Sequence, residues 1–424
     1  METKLISQKF IKKMIYFNKY IVIVKLVKMK YIYAIVVFLL LFLSCNKNKS
    51  INNIDTIKER KVIFPDSKTI EKGAIEFLDI VDTTFIVKLE TSKECLIGRP
   101  SKIQVYNNHV FILDGVTKSL FEFDFNGNFI KKFGNIGKGP GEYILPLSFS
   151  INHKKNEIVI YDRPNKKLLS YGLDGKFKAS KNINIKAFNF IISNEDSQEY
   201  IFDTHIENQR NVDGLNSKQY SITKSDEEGN ITSQFLETSK EQNSLGYRSR
   251  YNLFRNDSII LYNQPFTNTI YQVKKGNIEP FLTFEFKGKE IPDKTDYNIN
   301  FYDFREKIEE NVYEFFENNS GFFLIENKFI FRVKREGGYE DHIYNLKTNR
   351  LNLIEKNYNA PNFGFLGVKA CVYKNYLVNY AFPRMYLNSE YFNSEKFINT
   401  TVQDIIKNTK EGDNPILIFN RIKS

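Results

Sequence analysis

The side chains here best suited to metal or nucleophile chemistry are four histidines, His109, His153, His205 and His342, and three cysteines, Cys45, Cys95 and Cys371. The histidines show no paired spacing, whereas a zinc or calcium site needs histidines and carboxylates converging from several segments. His205 lies two residues after Asp203 and so supplies one conceivable ligand; a histidine on a surface loop is the plainer reading. Asp114, Asp162 and Asp203 each close a short apolar run. Two roles fit these acids: lining a central channel together with His205, or capping the turn after each strand. No G-x-S-x-G elbow occurs, and neither Cys95 nor Cys371 has a nearby histidine to activate it. No catalytic residue is assigned. The run Gly137-Lys138-Gly139-Pro140-Gly141-Glu142-Tyr143 has enough glycine to cradle a phosphate. A phosphate loop, however, opens a helix with Lys-Ser/Thr. Pro140 and the following Tyr143-Ile144-Leu145-Pro146 forbid that helix, so Gly137, Gly139, Pro140, Gly141, Glu142 and Tyr143 are expected to form a shaped turn between structural units.

The elements that must position these residues are short strands. Phe111–Asp114 is an apolar run closed by an acid, Leu120–Phe125 alternates, and Asn126-Gly127 supplies the positive-φ turn that a two-residue hairpin needs before Phe129 restarts the pattern. A shift of 48 brings Asp114 onto Asp162, Leu120 onto Leu168, Phe123 onto Tyr171, Gly127 onto Gly175 and Phe129 onto Phe177. Weaker copies begin at Tyr200, Ile259, Phe329 and Tyr376, the last joined to Ile416–Phe419 after an insertion. Units of about 40–50 residues, each of three or four strands with a glycine turn, read as propeller blades. The fold class is therefore all-β, a six-bladed β-propeller over residues 61–424. A ring must close, because an open sheet edge invites aggregation. The early strand at Phe85–Leu89 is expected to complete the blade made by the last strands. Asp303–Glu317 and Leu387–Lys407 are read as helical excursions.

The chain has 424 residues and a formal charge of +11. Residues 1–44 hold eight lysines against Glu2 alone, which leaves +4 from Cys45 onward. That balance is no footprint for phosphate binding and excludes nucleic acid as a partner. Met29 and Lys30 precede thirteen mostly apolar residues, Tyr31–Leu43, and then Ser44-Cys45. The arrangement resembles a bacterial lipoprotein signal, with cleavage before Cys45 and a lipid on that cysteine. Thirteen residues are short of the ~20 that span a bilayer; the competing reading, an uncleaved anchor from Tyr20, is interrupted by Lys25, Lys28 and Lys30. On this reading 1–28 is an over-extended start, 29–44 the signal and 45–60 a flexible tether. Cys95 and Cys371 would then meet an oxidising compartment, as a disulfide or as two buried thiols.

Ile112-Leu113-Asp114, Phe123-Asp124 with Gly127, the Gly137–Tyr143 element and the ending Asp413-Asn414-Pro415-Ile416-Leu417-Ile418-Phe419 resemble the six-bladed β-propeller lipoproteins. G-x-G-P-G-E-Y after the first blade is that family's most distinctive motif. The resemblance implies an exported, membrane-tethered, NHL-like propeller. Two functions follow as expectations. One is a non-catalytic platform for a protein, peptide or glycan, tethered to the membrane by the lipid on Cys45. The other is a metal-dependent lyase or lactonase-like hydrolase with its site on the propeller axis. No cofactor is expected for the first; a divalent metal stays open for the second. The outer membrane is the expected location, on its periplasmic side, because Asn46-Lys47-Asn48-Lys49 lacks the acids common after the lipidated cysteine of surface-displayed lipoproteins.

Overall fold

The computed structural model describes residues 60–65, 67–193, 199–205, 219–238, 251–256, 259–291, 306–307, 310, 313–317, 321–335, 338–355, 368–387, 404–405 and 407–423. These build six small, mainly antiparallel sheets, one per blade of a six-bladed β-propeller. Blade one is Pro100–Tyr106, His109–Asp114, Ser119–Asp124 and Phe129–Phe133, hydrogen-bonded in chain order. Blade two is Pro146–Asn152, Glu157–Asp162, Lys167–Gly172 and Phe177–Asn182. The repeat of 48 carries the second and third strands of blade one onto those of blade two without a slip. The first strands are offset by 46, because the turn after Asn152 is two residues longer than the one after Tyr106. Blade three is Asn189–Ile192, Tyr200–Asp203, Gln219–Ser225 and Ile231–Thr238; blade four runs from Leu253–Asn256 to Asn277–Glu285. Blade five is centred on Lys328–Arg335, Gly338–Asn345 and Arg350–Glu355.

Blade six closes the ring. Val368–Tyr373, Tyr376–Ala381 and Ile416–Ile422 come from the end of the chain, and Val81–Lys88 from its beginning is the fourth strand. Phe85 pairs with Phe419 in the ladder, and their rings stack at 4.5 Å. Val87 and Leu89 bury against Val110, Ile112, Phe121 and Phe123 of blade one. Both faces of a blade are apolar because both pack on neighbours: Phe111, Leu113 and Leu120 meet Phe149, Ile158 and Ile160 between blades one and two. Full burial of such a side chain is worth about 1.5–3 kcal/mol, so closure recovers apolar burial that an open arc would lose at both ends.

Two local expectations change. The Ser119–Asp124 to Phe129–Phe133 connection has four residues, not two: the Asp124 carboxylate accepts from the N–H groups of Asn126 and Asn128 and widens the turn. Gly127 (φ +86°) is nevertheless required, since a Cβ there would strike the backbone of Lys88 in the closing strand. Within Asp303–Glu317, Phe315–Phe316 is a strand paired to Val333 and Lys334, because two adjacent buried aromatics fit a sheet edge better than a helix. Leu387–Lys407 lies mostly outside the described residues; within it 404, 405 and 407 are helical, and a further short helix, Pro383–Tyr386, just precedes it. Arg60–Ile63 and Ile75–Glu76 add parallel outer strands to blades four and five. No helix among the described residues is long and apolar enough to cross a membrane.

Candidate functional site

The first strand of each blade faces the axis, and together these strands wall a cavity of about 630 Å³. Every blade contributes, from Lys102, Gln104 and Tyr106 in blade one to Cys371 and Tyr373 in blade six. Irregular pairing recurs at the start of the inner strands of blades one and two, at Pro100/Lys102 and Pro146/Ser148. Such bulges re-aim side chains, and here they bring equivalent residues together. Lys102 Nζ donates to Ser148 Oγ at 3.1 Å, to Asn189 Oδ1 at 2.8 Å and to the Phe190 carbonyl at 3.1 Å. It also lies 5.9 Å from the ring centroids of Phe149 and Phe190. Desolvation by burial, with the Arg255 guanidinium adding like-charge repulsion, brings the ammonium down to about 7 from its ordinary 10.5. Arg255 itself donates to the Ile192 carbonyl at 2.7 Å.

No aspartate or glutamate is among the described residues of the cavity wall, which instead carries Lys102, Arg255 and Lys374. Aromatic rings and amides fill much of the remainder. Tyr106 stacks on His153 at 4.6 Å with 11° between the planes, and Tyr373 donates from its hydroxyl to Asn108 Oδ1 at 2.7 Å. Gln104 Oε1 is buried and accepts no hydrogen bond among the described residues. The Cys371 thiol, also on the wall, is pushed up to about 12 by burial.

Asp114, Asp162 and Asp203 are fully buried at the equivalent strand ends, and none of them lines this cavity. Asp114 accepts from the N–H groups of Arg99, Val116 and Thr117, and Asp162 from those of Ile144 and Leu145 and from Asn165 Nδ2. Each acid thus fastens the turn after its strand to the chain entering its blade. Asp203 differs: His205 Nδ1 lies 2.6 Å from its Oδ1, Asn252 Nδ2 donates to Oδ2 at 2.9 Å, and the Tyr262 hydroxyl donates at 3.3 Å. His205 is therefore a buried partner of Asp203, not a surface loop residue. Among the described residues no three His, Cys, Asp or Glu side chains form a group that could hold a metal ion. Cys95 and Cys371 are free thiols.

The glycine-rich element is a turn between blades one and two. Gly139 N–H donates to Glu142 Oε2 at 2.8 Å, and Asn135–Ile136 pairs with Glu142–Tyr143. Gly141 has φ +73°, and a Cβ there would meet the Phe177 ring at 2.8 Å. Tyr143 and Tyr171 lock the turn from inside, donating to the carbonyls of Phe133 and Gly141. Every backbone group engaged here meets another part of the protein, so the element shapes the chain.

Residues 61–421 match a family model described as a domain of unknown function, DUF4934. The chain belongs to this family. No curated protein matches it. The DUF4934 chain is similar to a solved protein from Bacteroides fragilis NCTC 9343 that is presumed to be exported. The two share 20% identity over 87% of this chain and 100% of the other, with a TM-score of 0.68, which shows the fold alone. A member of the DUF4221 family from Bacteroides vulgatus atcc 8482 has 9% identity over 81% and 97% of the chains, with a TM-score of 0.49. Virginiamycin B lyase from Staphylococcus aureus has 10% identity over 64% and 74%, with a TM-score of 0.36. Neither of these two likenesses carries an argument.

The DUF4934 domain also holds a buried charge cluster that the sequence did not single out. Asp341 is held between Arg332, at 2.7 Å, and Lys369, so a blade-five carboxylate meets a blade-six ammonium. Arg335 pairs with Glu314 at 2.8 Å and donates to the Pro65 carbonyl at 3.0 Å. These pairs fix blade five to its neighbour and to the entering chain. The axial lysine of the DUF4934 domain escaped the sequence reading as well. Its signal was weak: a Lys in alternation with Ile103 and Val105, visible only once the inner strand is known.

Proposed function

We propose that this protein is an exported, lipid-anchored propeller of NHL-like form whose axial cavity is a non-catalytic binding site for a protein, peptide or glycan. The observation that carries the reading is the cavity itself: a concave, six-blade wall combining aromatic rings, amides and cations. Ligand sites are typically concave, largely apolar and supplied with a few placed polar groups. In this reading the lipid on Cys45 holds the propeller at the outer membrane, on the periplasmic side. The lipoprotein-like signal supports export, and so does the Bacteroides fragilis protein of the same fold that is presumed to be exported.

Two experiments test the reading. Cys45→Ser should release the protein from membranes; unchanged membrane association would favour an uncleaved anchor. A soluble form starting near Ser50 should then be stabilised by its ligand, by about 2.7 kcal/mol at a hundredfold excess over Kd. Substituting Tyr106 or Tyr373 by Ala should abolish that shift, and a ligand unaffected by either change would place binding elsewhere. The metal-dependent alternative places its site on the propeller axis, whereas the Asp203–His205 pair is buried away from the cavity wall and has no third ligand-forming partner among the described residues. A fall in melting temperature on chelation would move it ahead, and no change would leave the binding reading in place.

A further inference from the structure

Lys102 is a primary amine in the wall of the axial cavity, half-buried, so that Nζ meets protein on one side and open space on the other. Its hydrogen-bond acceptors are Ser148 Oγ, Asn189 Oδ1 and the Phe190 carbonyl, all three uncharged. Lys369, also at the bulged start of an inner strand, is held instead by the Asp341 carboxylate. The partners of Lys102 suit a neutral amine as well as an ammonium. An ammonium donates three hydrogen bonds, whereas a neutral amine donates two and presents a lone pair. The amide oxygen and the carbonyl can only accept, but a hydroxyl can turn and donate to that lone pair. Ser148 Oγ, which donates to Asn189 Oδ1 at 2.7 Å, is the group able to do so.

A lysine becomes a nucleophile when it is desolvated or set beside another cation. Lys102 has both: burial and the Arg255 guanidinium bring it down to about 7. An ordinary lysine at that pH is neutral in only about one molecule in a few thousand. The surroundings of the amine are apolar, with the ring centroids of Phe149 and Phe190 each 5.9 Å from Nζ and Phe188 and Phe254 on the same wall.

We propose that Lys102 is a reactive amine that captures an aldehyde with an apolar body as a Schiff base inside the axial cavity. The Nζ lone pair forms a bond to the carbonyl carbon, and the C=O π pair moves onto oxygen. One N–H proton passes by way of the Ser148 hydroxyl to that oxygen, which gives a carbinolamine. The new hydroxyl then leaves as water with the second N–H proton, and a C=N bond remains. Amine and aldehyde thus become imine and water, with no oxidant or reductant needed. This chemistry goes beyond the non-catalytic platform and shares only its cavity.

The test uses the full chain, purified in detergent, at pH 7. It would be treated with benzaldehyde or with glyceraldehyde, each alongside sodium cyanoborohydride, which reduces an imine to a stable amine. Peptide mass mapping then reads the label at each lysine. Benzaldehyde should label Lys102 at least about tenfold faster than exposed lysines such as Lys132 and Lys176, because far more of Lys102 is neutral. That excess should vanish in guanidinium chloride, where the cavity no longer exists. Ser148→Ala should slow the labelling of Lys102 and leave the exposed lysines as they were. Labelling of Lys102 no faster than theirs in the unsubstituted chain overturns the reactive amine. An excess that survives unfolding also overturns it, since the fold would not be its source. Equal labelling by glyceraldehyde overturns the apolar body, and an unchanged rate in Ser148→Ala overturns the proton relay. None of these outcomes touches the platform reading, which fails separately if a ligand ignores the Tyr106 and Tyr373 substitutions.

Discussion

At the scale of single residues, environment separates side chains that look alike in sequence. Lys102 and Lys369 sit at bulged starts of inner strands in blades one and six, yet Lys369 meets Asp341 and Lys102 meets neutral oxygens. Because the folded value for Lys102, about 7, lies below the 10.5 of the unfolded chain, the unfolded state binds the extra proton between those limits. Stability therefore rises with pH across that window, by at most about 1.4 kcal/mol per unit and by less for a partly exposed residue. Denaturant titrations at about pH 7 and about pH 9 should show a smaller rise in Lys102→Met than in the parent; equal rises would mean that another group drives it. Cys371 gives an independent check. With its thiol pushed up to about 12, little thiolate exists at mild pH, and thiolate is the reactive form. A colorimetric thiol reagent should leave fully buried Cys95 untouched until the protein is unfolded and should react only slowly with half-buried Cys371 on the cavity wall; rapid native reaction of both would contradict this placement.

At the scale of elements, the closing strand carries disproportionate weight. Val81–Lys88 makes the last ladder of blade six and buries Val87 in the core shared with blade one. Val87→Asp would put a charge into that core, and it should cost about 3 kcal/mol or more by denaturant titration. Thr83→Asp, on the same strand but exposed, should cost little by comparison. If both changes were equally mild, the strand would not be what seals the ring. The alternation at Phe85, Val87 and Leu89 was legible because period two is a property of any strand. Its partner was legible because only the last strands lacked a fourth. The outer parallel strands Arg60–Ile63 and Ile75–Glu76 were not, since a four-residue strand on a sheet edge has no pattern long enough to stand out.

At the scale of the whole molecule, adjacent blades share side chains in common cores, and the first and last strands of the ring share one blade. Unfolding one blade exposes faces of two others, so calorimetry on the soluble form should show a single heat-absorption peak. Two resolved peaks would mean that the ring splits into independently stable arcs.

The sequence by itself determined the number of blades, the 48-residue register of the first two, the closure and the turn at Gly137–Tyr143. These rest on local periodicity and on turn residues whose backbone needs are fixed by covalent geometry. It did not determine which acids face the axis. Asp114, Asp162 and Asp203 are in equivalent positions in sequence, but whether a strand end points to the axis or into the neighbouring turn depends on how blades tilt and pack. Lys102, Ser148, Asn189 and Arg255 come from four blades and meet only after the ring closes. No spacing along the chain encodes that meeting, because the distances that create the cavity are distances between blades.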